Sequence, residues 1–323
     1  MKRFFSIFLL SVFCALAFSA CNEDDEEDFR PYKPIYEDPS ASDKEKTPQD
    51  DGPTDTAPDD SCQRITKISL LMEQYSSSRS MQGSAVYGSI LFQFVANNYC
   101  VFVYDIDKKE YLGTISCKTN SKWHNNQATF SHTFYEEGDE FPLLYTSQIH
   151  PEEQSIQVWR VLRTENLFEL KLVQSMKLPM DTDDNNLYHF NMVIDDKDEF
   201  FWLYSRNRTT SMGQISKWKL PDPYISTVDL AEENMLERFS IDVNMGDAQG
   251  GTMLGHRIYF VRGVPGRSLL YLHIVNVNTQ EVTSFNLRDH NFKVEPEGLS
   301  FYQGRFICTT NRLGIFEFYL NTY

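Results

Sequence analysis

Polar side chains recur at the starts of five apolar segments, and their types suit a ligand rich in hydroxyl or amide groups. They are Gln82, Asn125, Gln127, His189, Asn191, Gln249, Glu295 and Glu297. An amide side chain both donates and accepts hydrogen bonds, which sugar hydroxyls and peptide backbones require. If the segment starts meet in the fold, these residues form a ring of amides with one carboxylate pair. We expect one of the two carboxylates to line the centre of that ring.

The same residues also have a purely structural interpretation. Amides at strand starts often satisfy backbone groups of neighbouring strands. Gly83, Gly250 and Gly298 directly follow three of the ring residues, where a tight turn alone would require glycine. Both interpretations stay open at the level of sequence.

Few residues suggest catalysis. Glu297 with His124 or His189 would make an acid–base pair, and these three are the catalytic candidates if the protein is an enzyme. The sequence contains no Gly-x-Ser-x-Gly elbow and no His-Glu-x-x-His motif. The stretch 181–185 begins like a calcium loop but lacks its glycine and distal glutamate, which favours an acidic surface turn. We therefore predict no cofactor and no metal, and favour binding over catalysis.

The elements that position these residues are strands. Short runs rich in Val, Ile, Phe, Tyr and Trp alternate with polar turns, as in 100–104, 155–161 and 200–204. The nearest approach to a helical pattern, Leu230 to Arg238, is short. The sequence thus predicts an all-β domain over residues 62–323.

Internal repetition predicts the architecture. Five segments share one plan of a polar start, a short strand, a tight turn and a second strand; they begin near residues 82, 125, 189, 249 and 297. Four strands per repeat are typical of a propeller blade. The fifth repeat has only three strands, so we expect Ile65–Leu71 to add the fourth and close the ring. Five blades are predicted, with six as the alternative if the long second repeat contains two.

The cysteines leave two possibilities. Cys62, Cys100, Cys117 and Cys308 show no metal-ligand spacing. Cys100 and Cys117 flank a predicted hairpin, where they would form a disulfide or remain buried thiols.

Several short sequence segments resemble those of known propeller proteins. Gln82-Gly83 with Leu91-Phe92-Gln93, the stretch 104–109 and the stretch 124–130 resemble propeller lipoproteins of Bacteroidetes and helveticin J-like propellers. The stretch 295–300 is similar to the Glu-Gly-Leu turn of phytase-like and esterase-like propellers. The first resemblance spans most of residues 80–320 and implies the same fold, but none of these families implies a definite activity.

The N-terminus carries an export signal. Lys2 and Arg3 precede an apolar stretch, 4–17, that is too short to span a bilayer. Small residues then lead to Cys21, which resembles the lipobox of bacterial lipoproteins. That resemblance implies cleavage after residue 20 and lipidation of Cys21, with a lipid anchor in the membrane as the consequence. The alternative is an ordinary signal peptide with cysteine after the cut.

An acidic, proline-rich segment follows the cysteine. Residues 22–61 contain 15 acidic and 4 basic side chains in a chain of formal net charge −16. Such a composition cannot bury enough apolar surface to fold, so residues 21–61 are predicted to be a lipidated, disordered stalk. The acidic run 22–28 resembles the surface-export signal of Bacteroidetes lipoproteins, which implies the outer membrane and the cell surface. A plain solvated spacer is the alternative.

Together these observations predict a surface-anchored, five-bladed propeller whose channel mouth binds an extracellular glycan, peptide or protein. The alternative is an extracellular hydrolase or lyase acting on a carbohydrate or ester. The acidic balance and the absence of a basic patch argue against nucleic acid as a partner.

Overall fold

The computed structural model describes residues 63–75, 80–96, 100–116, 125–149, 154–165, 167–178, 187–207 and 209–321. Five groups of predictions fall outside these ranges. They are the signal peptide 1–20; the stalk 21–61, which includes Cys21; the pair Cys62 and Cys117; His124; and the acidic stretch 181–185. They remain predictions. No helix among the described residues is long and apolar enough to cross a membrane.

The described strands form five antiparallel sheets of a five-bladed β-propeller, which confirms the predicted fold and blade number. Blade 1 contains β2 (Met81–Tyr87), β3 (Ile90–Val95), β4 (Cys100–Asp105) and β5 (Glu110–Ser116). The preceding strand, β1 (Arg64–Met72), belongs to blade 5. Blade 2 contains β6 (Asn125–Phe130), β7 (Leu144–Ile149), β8 (Gln154–Thr164) and β9 (Leu167–Lys177). The long second repeat is therefore one blade with long outer strands.

The other three blades follow the same order from the inner to the outer edge. Blade 3 contains β10 (Leu187–Ile194), β11 (Phe200–Asn207), β12 (Met212–Lys219) and β14 (Met235–Asn244). Blade 4 contains β15 (Ala248–Leu254), β16 (Arg257–Arg262), β17 (Tyr271–Asn276) and β18 (Val282–Asn286). Blade 5 contains β19 (Pro296–Tyr302), β20 (Arg305–Thr310), β21 (Ile315–Asn321) and β1 (Arg64–Met72).

The N-terminal strand closes the ring as predicted. β1 pairs antiparallel with β21, so that Ile68 lies opposite Phe318 and Leu70 opposite Phe316. Because β1 covers the outer edge of β21, the last hairpin of the chain does not end in an open edge.

The connection between β12 and β14, the third and fourth strands of blade 3, shows why no long helix forms near residue 230. The strand β13 (Thr227–Asp229) adds in parallel to the outer edge of β9. One 3₁₀ turn, Glu232–Asn234, then leads directly into β14. A second 3₁₀ turn, Leu287–His290, follows β18.

The hydrophobic core is divided among the interfaces between neighbouring blades. Each of five buried clusters contains residues from two adjacent blades; for example, Phe92 of blade 1 packs with Phe141 and Trp159 of blade 2. Trp159 and Trp218 are both buried in such clusters, so these two tryptophans pack between blades. This packing brings the five inner strands, β2, β6, β10, β15 and β19, together around one axis.

Candidate functional site

A bulge interrupts the pairing at the start of every inner strand. The register shifts fall between Met81 and Ser84, Asn125 and Gln127, Tyr188 and Asn191, Ala248 and Gly251, and Pro296 and Gly298. A bulge re-aims side chains relative to a regular strand, and bulges are common beside functional sites. The predicted ring residues lie in or next to these five bulges, so the structure does bring the strand starts together.

Six of the eight predicted ring residues are buried, and the other two, His189 and Glu295, are partly exposed. Gln82, Asn125, Asn191, Gln249 and Glu297 each expose less than a tenth of their surface. Each carries at least one buried side-chain oxygen with no hydrogen-bond partner among the described residues: Gln82 Oε1, Asn125 Oδ1, Asn191 Oδ1, Gln249 Oε1 and both carboxylate oxygens of Glu297. Each inner strand therefore contributes at least one such residue, and we call these five the oxygen ring. Asn126 Oδ1 of blade 2 is also buried without a partner.

Gln127 has a different role from the rest of the predicted set. Its Nε2 donates to the carbonyl oxygen of Gly251, and its Oε1 accepts from the N–H of Gly251 at 2.7 Å. Gly251 belongs to blade 4 and Gln127 to blade 2, so the side chain bridges two blades that are not neighbours. The adjacent Asn126 donates from Nδ2 to the Ala248 carbonyl of the same blade. The structural interpretation of strand-start amides is thus correct for Gln127.

Glycines allow this close approach at the axis. A Cβ at Gly83 would lie 2.7 Å from the backbone of Gln127. A Cβ at Gly250 would lie 2.8 Å from Gln127 Oε1, from the carbonyl oxygen of Glu297 and from Gly298 Cα. These glycines are required by packing between inner strands, because no larger residue fits.

The two carboxylates differ in environment. Glu295 is half-buried and accepts a 2.7 Å hydrogen bond from Asn311 Nδ2; burial raises its pKa, and that hydrogen bond opposes the shift. Glu297 is enclosed, and burial raises its pKa well above the usual range, with the charge of Glu295 adding to the effect. Of the two, only Glu297 belongs to the oxygen ring.

The structure describes one of the two histidines that were predicted as acid–base partners of Glu297. His189 lies at the start of β10 with a left-handed backbone (φ 55°), a conformation that is uncommon outside glycine. His124 lies outside the described residues, so its pairing with Glu297 is a prediction still. Within the described ranges, no group of three or more His, Cys, Asp and Glu side chains is placed to hold a metal ion.

A cavity opens at the other end of the inner strands. It has a volume of about 630 Å³ and is lined by residues of all five blades, including Tyr87, Phe130, Ile194, Leu254 and Phe301. These five residues lie in the last two positions of their respective inner strands. The cavity therefore lies where the strands end, whereas the predicted ring lies where they start.

The cavity combines aromatic and hydrogen-bonding surfaces. The Tyr87 ring lies 5.7 Å from that of Phe130, between ring centres. The serines and threonines of the lining are Thr129, Ser131, Thr252 and Ser300, and its titratable residues include His132 and Asp196. The sequence carried a signal for this site that our prediction missed: each repeat places an aromatic or large aliphatic residue just before its first tight turn.

Comparisons with known proteins give only distant structural likenesses. No family model matches the sequence, and a search of curated proteins gives no match. The chain is similar to glutaminyl cyclase of Myxococcus xanthus (8% identity, covering 81% of this chain and 97% of that chain, TM-score 0.48). It is also similar to an inactive variant of virginiamycin B lyase from Staphylococcus aureus with quinupristin (9% identity, 80% and 99% covered, TM-score 0.41).

A third similarity is to hydrazine synthase of Kuenenia stuttgartiensis, at 14% identity over 71% of this chain, with a TM-score of 0.37. The chain spans 61% of the length of that protein. At such low identities and TM-scores these likenesses carry no information on activity. The class that fold and site define is a five-bladed β-propeller with a closed polar ring at one end of its axis and an open cavity at the other.

Proposed function

We propose that this protein is a lipid-anchored propeller on the outer membrane surface that binds an extracellular glycan, without catalysis, in the strand-end cavity. The observation that carries the proposal is the cavity itself. Its volume of about 630 Å³ falls within the ordinary range for small-molecule sites, roughly 300–1,000 Å³. All five blades contribute to it, so the binding surface rests on the rigid part of the fold.

The lining chemistry favours a glycan. A sugar ring presents apolar C–H faces and a rim of hydroxyl groups. Aromatic residues such as Tyr87 match the former, and hydroxyl side chains such as Thr129 and Thr252 match the latter because they donate and accept. Tyr87 is 37% exposed, so its ring is available to stack on a ligand. A peptide or protein ligand is the other outcome of the same test.

A glycan array followed by calorimetric titration of the best glycan tests this proposal. Tyr87→Ala should weaken binding about tenfold, equivalent to about 1.4 kcal/mol. Tyr75→Ala is the matched control, because Tyr75 is also exposed but stacks on Tyr111 of β5, away from the cavity lining. The proposal is wrong if no glycan binds, or if both variants bind as the parent does.

The anchoring part of the proposal is supported by sequence and has its own test. Cys21→Ala should release the protein from the membrane fraction, since the thiol that carries the lipid is lost. Replacing the acidic residues of 22–28 with neutral amides should retain the lipid but abolish protease access in whole cells. Membrane retention of Cys21→Ala would contradict anchoring through this residue, and unchanged protease access in the second variant would make the acidic run a spacer.

The alternative of a hydrolase or lyase has one supporting observation, since His132 and Asp196 both line the cavity and supply the residue types of an acid–base pair. Incubating the bound glycan with the protein separates the two functions. Product release that is lost in Asp196→Asn, with affinity retained, would favour the enzyme.

A further inference from the structure

The oxygen ring presents an unusual concentration of unsatisfied polar atoms. A buried acceptor without a hydrogen bond is costly, and folded proteins leave few such atoms. Here Gln82, Asn125, Asn191, Gln249 and Glu297 each carry one or more, on five inner strands. Four of them lie five residues before the end of their strand, and Asn191 lies three residues before it. The repetition at each blade argues for a shared ligand.

Close backbone approaches hold the members of the ring near one another. The bulge of Gln82-Gly83 packs against the backbone of Asn126 and Gln127, and Gly250 packs against Glu297 and Gly298. The inner strand β10, which carries Asn191, contacts both β6 and β15. Each member thus lies on an inner strand that contacts at least two of the other inner strands.

The unsatisfied atoms are almost all electron-rich. Four amide oxygens and two carboxylate oxygens of the ring have no partner among the described residues, against a single amide nitrogen, Nδ2 of Asn191. A ligand that satisfies such a set has to be a cation or a dense donor. Glu297 is the one ring residue whose side chain can carry a negative charge, and both of its oxygens are buried without a partner, which favours a cation.

We propose that the oxygen ring binds one calcium ion on the propeller axis. Calcium accepts six to eight oxygen ligands, mixes carboxylate and amide oxygens, and tolerates irregular geometry. Zinc prefers nitrogen and sulfur ligands, which the ring lacks, and magnesium demands near-ideal octahedral geometry and retains water. The ion would link all five blades at the end of the axis where Gln127 also bridges blades 2 and 4. This site is separate from the glycan cavity and does not depend on the proposed function.

Equilibrium dialysis of the chelator-treated full chain against calcium, with elemental analysis, tests the site. We expect about one calcium per chain, a higher melting temperature with calcium than with magnesium, and a reversal of both effects on adding chelator. Glu297→Gln keeps the shape of the side chain but removes its charge, and should weaken calcium binding at least tenfold. Asn191→Leu should weaken it as well.

Glu317→Gln is the matched control, because Glu317 is a carboxylate of the same blade that pairs with Arg305 on the outer strands. Calcium affinity should be within twofold of the parent in this variant. The proposal is overturned if the parent binds no calcium above background, or if Glu297→Gln and Glu317→Gln bind it equally. If Glu297→Gln does not fold, the parent's calcium stoichiometry and the Asn191→Leu variant decide alone.

Discussion

The two ends of the propeller axis are built from the same five strands but have opposite properties. Where the strands start, bulges, glycines and the Gln127 bridge bring the backbones so close that a Cβ at Gly250 would overlap three neighbours. Where the strands end, the same sheets diverge around a cavity of about 630 Å³. Polar residues at the narrow end are enclosed, whereas aromatic residues at the wide end are partly exposed.

This difference shows that convergence of polar side chains does not by itself make an open site. A ring of amides can hold strands together, hold an ion or meet a ligand from solvent, depending on how closely the backbones approach. Gln127 takes the first role because both its polar atoms are used by Gly251. The residues of the oxygen ring differ from Gln127 because their side-chain oxygens have no hydrogen-bond partner among the described residues.

The largest expected effect tests the difference in crowding between the two ends. Gly250→Ala should lower the free energy of unfolding by about 3 kcal/mol, because the added methyl group has no space among inner strands. Gly88→Ala, at the wide end, should cost only about 1 kcal/mol: its left-handed backbone (φ 55°) is strained for alanine, but nothing lies within 4 Å of the new atom. Urea denaturation measures both. Equal losses would mean that the narrow end is not tightly packed.

The next effect concerns a buried polar group away from both ends. His273 of blade 4 pairs through Nδ1 with Ser284 Oγ, while burial, with a smaller contribution from the charge of Arg262, lowers its pKa to about 3. The unfolded chain binds a proton below pH 6.5 that the folded chain does not. Stability should therefore fall as pH drops from 6.5 towards 3, by about 1.4 kcal/mol per unit well below pH 6.5.

His273→Gln removes the titrating imidazole. Comparison with the parent therefore isolates the contribution of His273 to the pH dependence of stability. Urea denaturation measures the free energy of unfolding at pH 7 and at pH 5. Between these two pH values the parent should lose about 1–2 kcal/mol more of it than the variant does. Parallel losses would mean that His273 is accessible to protons in the folded state, and would weaken the contrast between enclosed and open polar groups.

The fold could be predicted because its signals are local and repeated. Alternating apolar strands and tight turns recur five times, and Ile65–Leu71 had no partner other than the last hairpin, so ring closure followed from counting strands. The position of Gln82, Asn191, Gln249 and Glu297 on the inner strands followed from the repeat as well. These inferences need only the order of elements along the chain.

The depth of the ring and the position of the cavity could not be predicted in the same way. Whether Gln127 faces solvent or the backbone of Gly251 depends on the distance between blades that are not neighbours, which no local pattern encodes. Tyr87, Phe130 and Phe301 looked like ordinary core residues, because a residue before a turn is buried or exposed according to how the blades spread. Tertiary packing determined both outcomes.

The central claim is that ligand binds at the strand-end cavity and not at the strand-start ring. One calorimetric titration of the best array glycan, with the parent, Tyr87→Ala and Glu297→Gln in the presence of calcium, tests it most directly. The account predicts about a tenfold loss of affinity for Tyr87→Ala and a change within twofold for Glu297→Gln. Loss of binding in Glu297→Gln, with Tyr87→Ala equal to the parent, would place the ligand at the strand-start end and contradict the account.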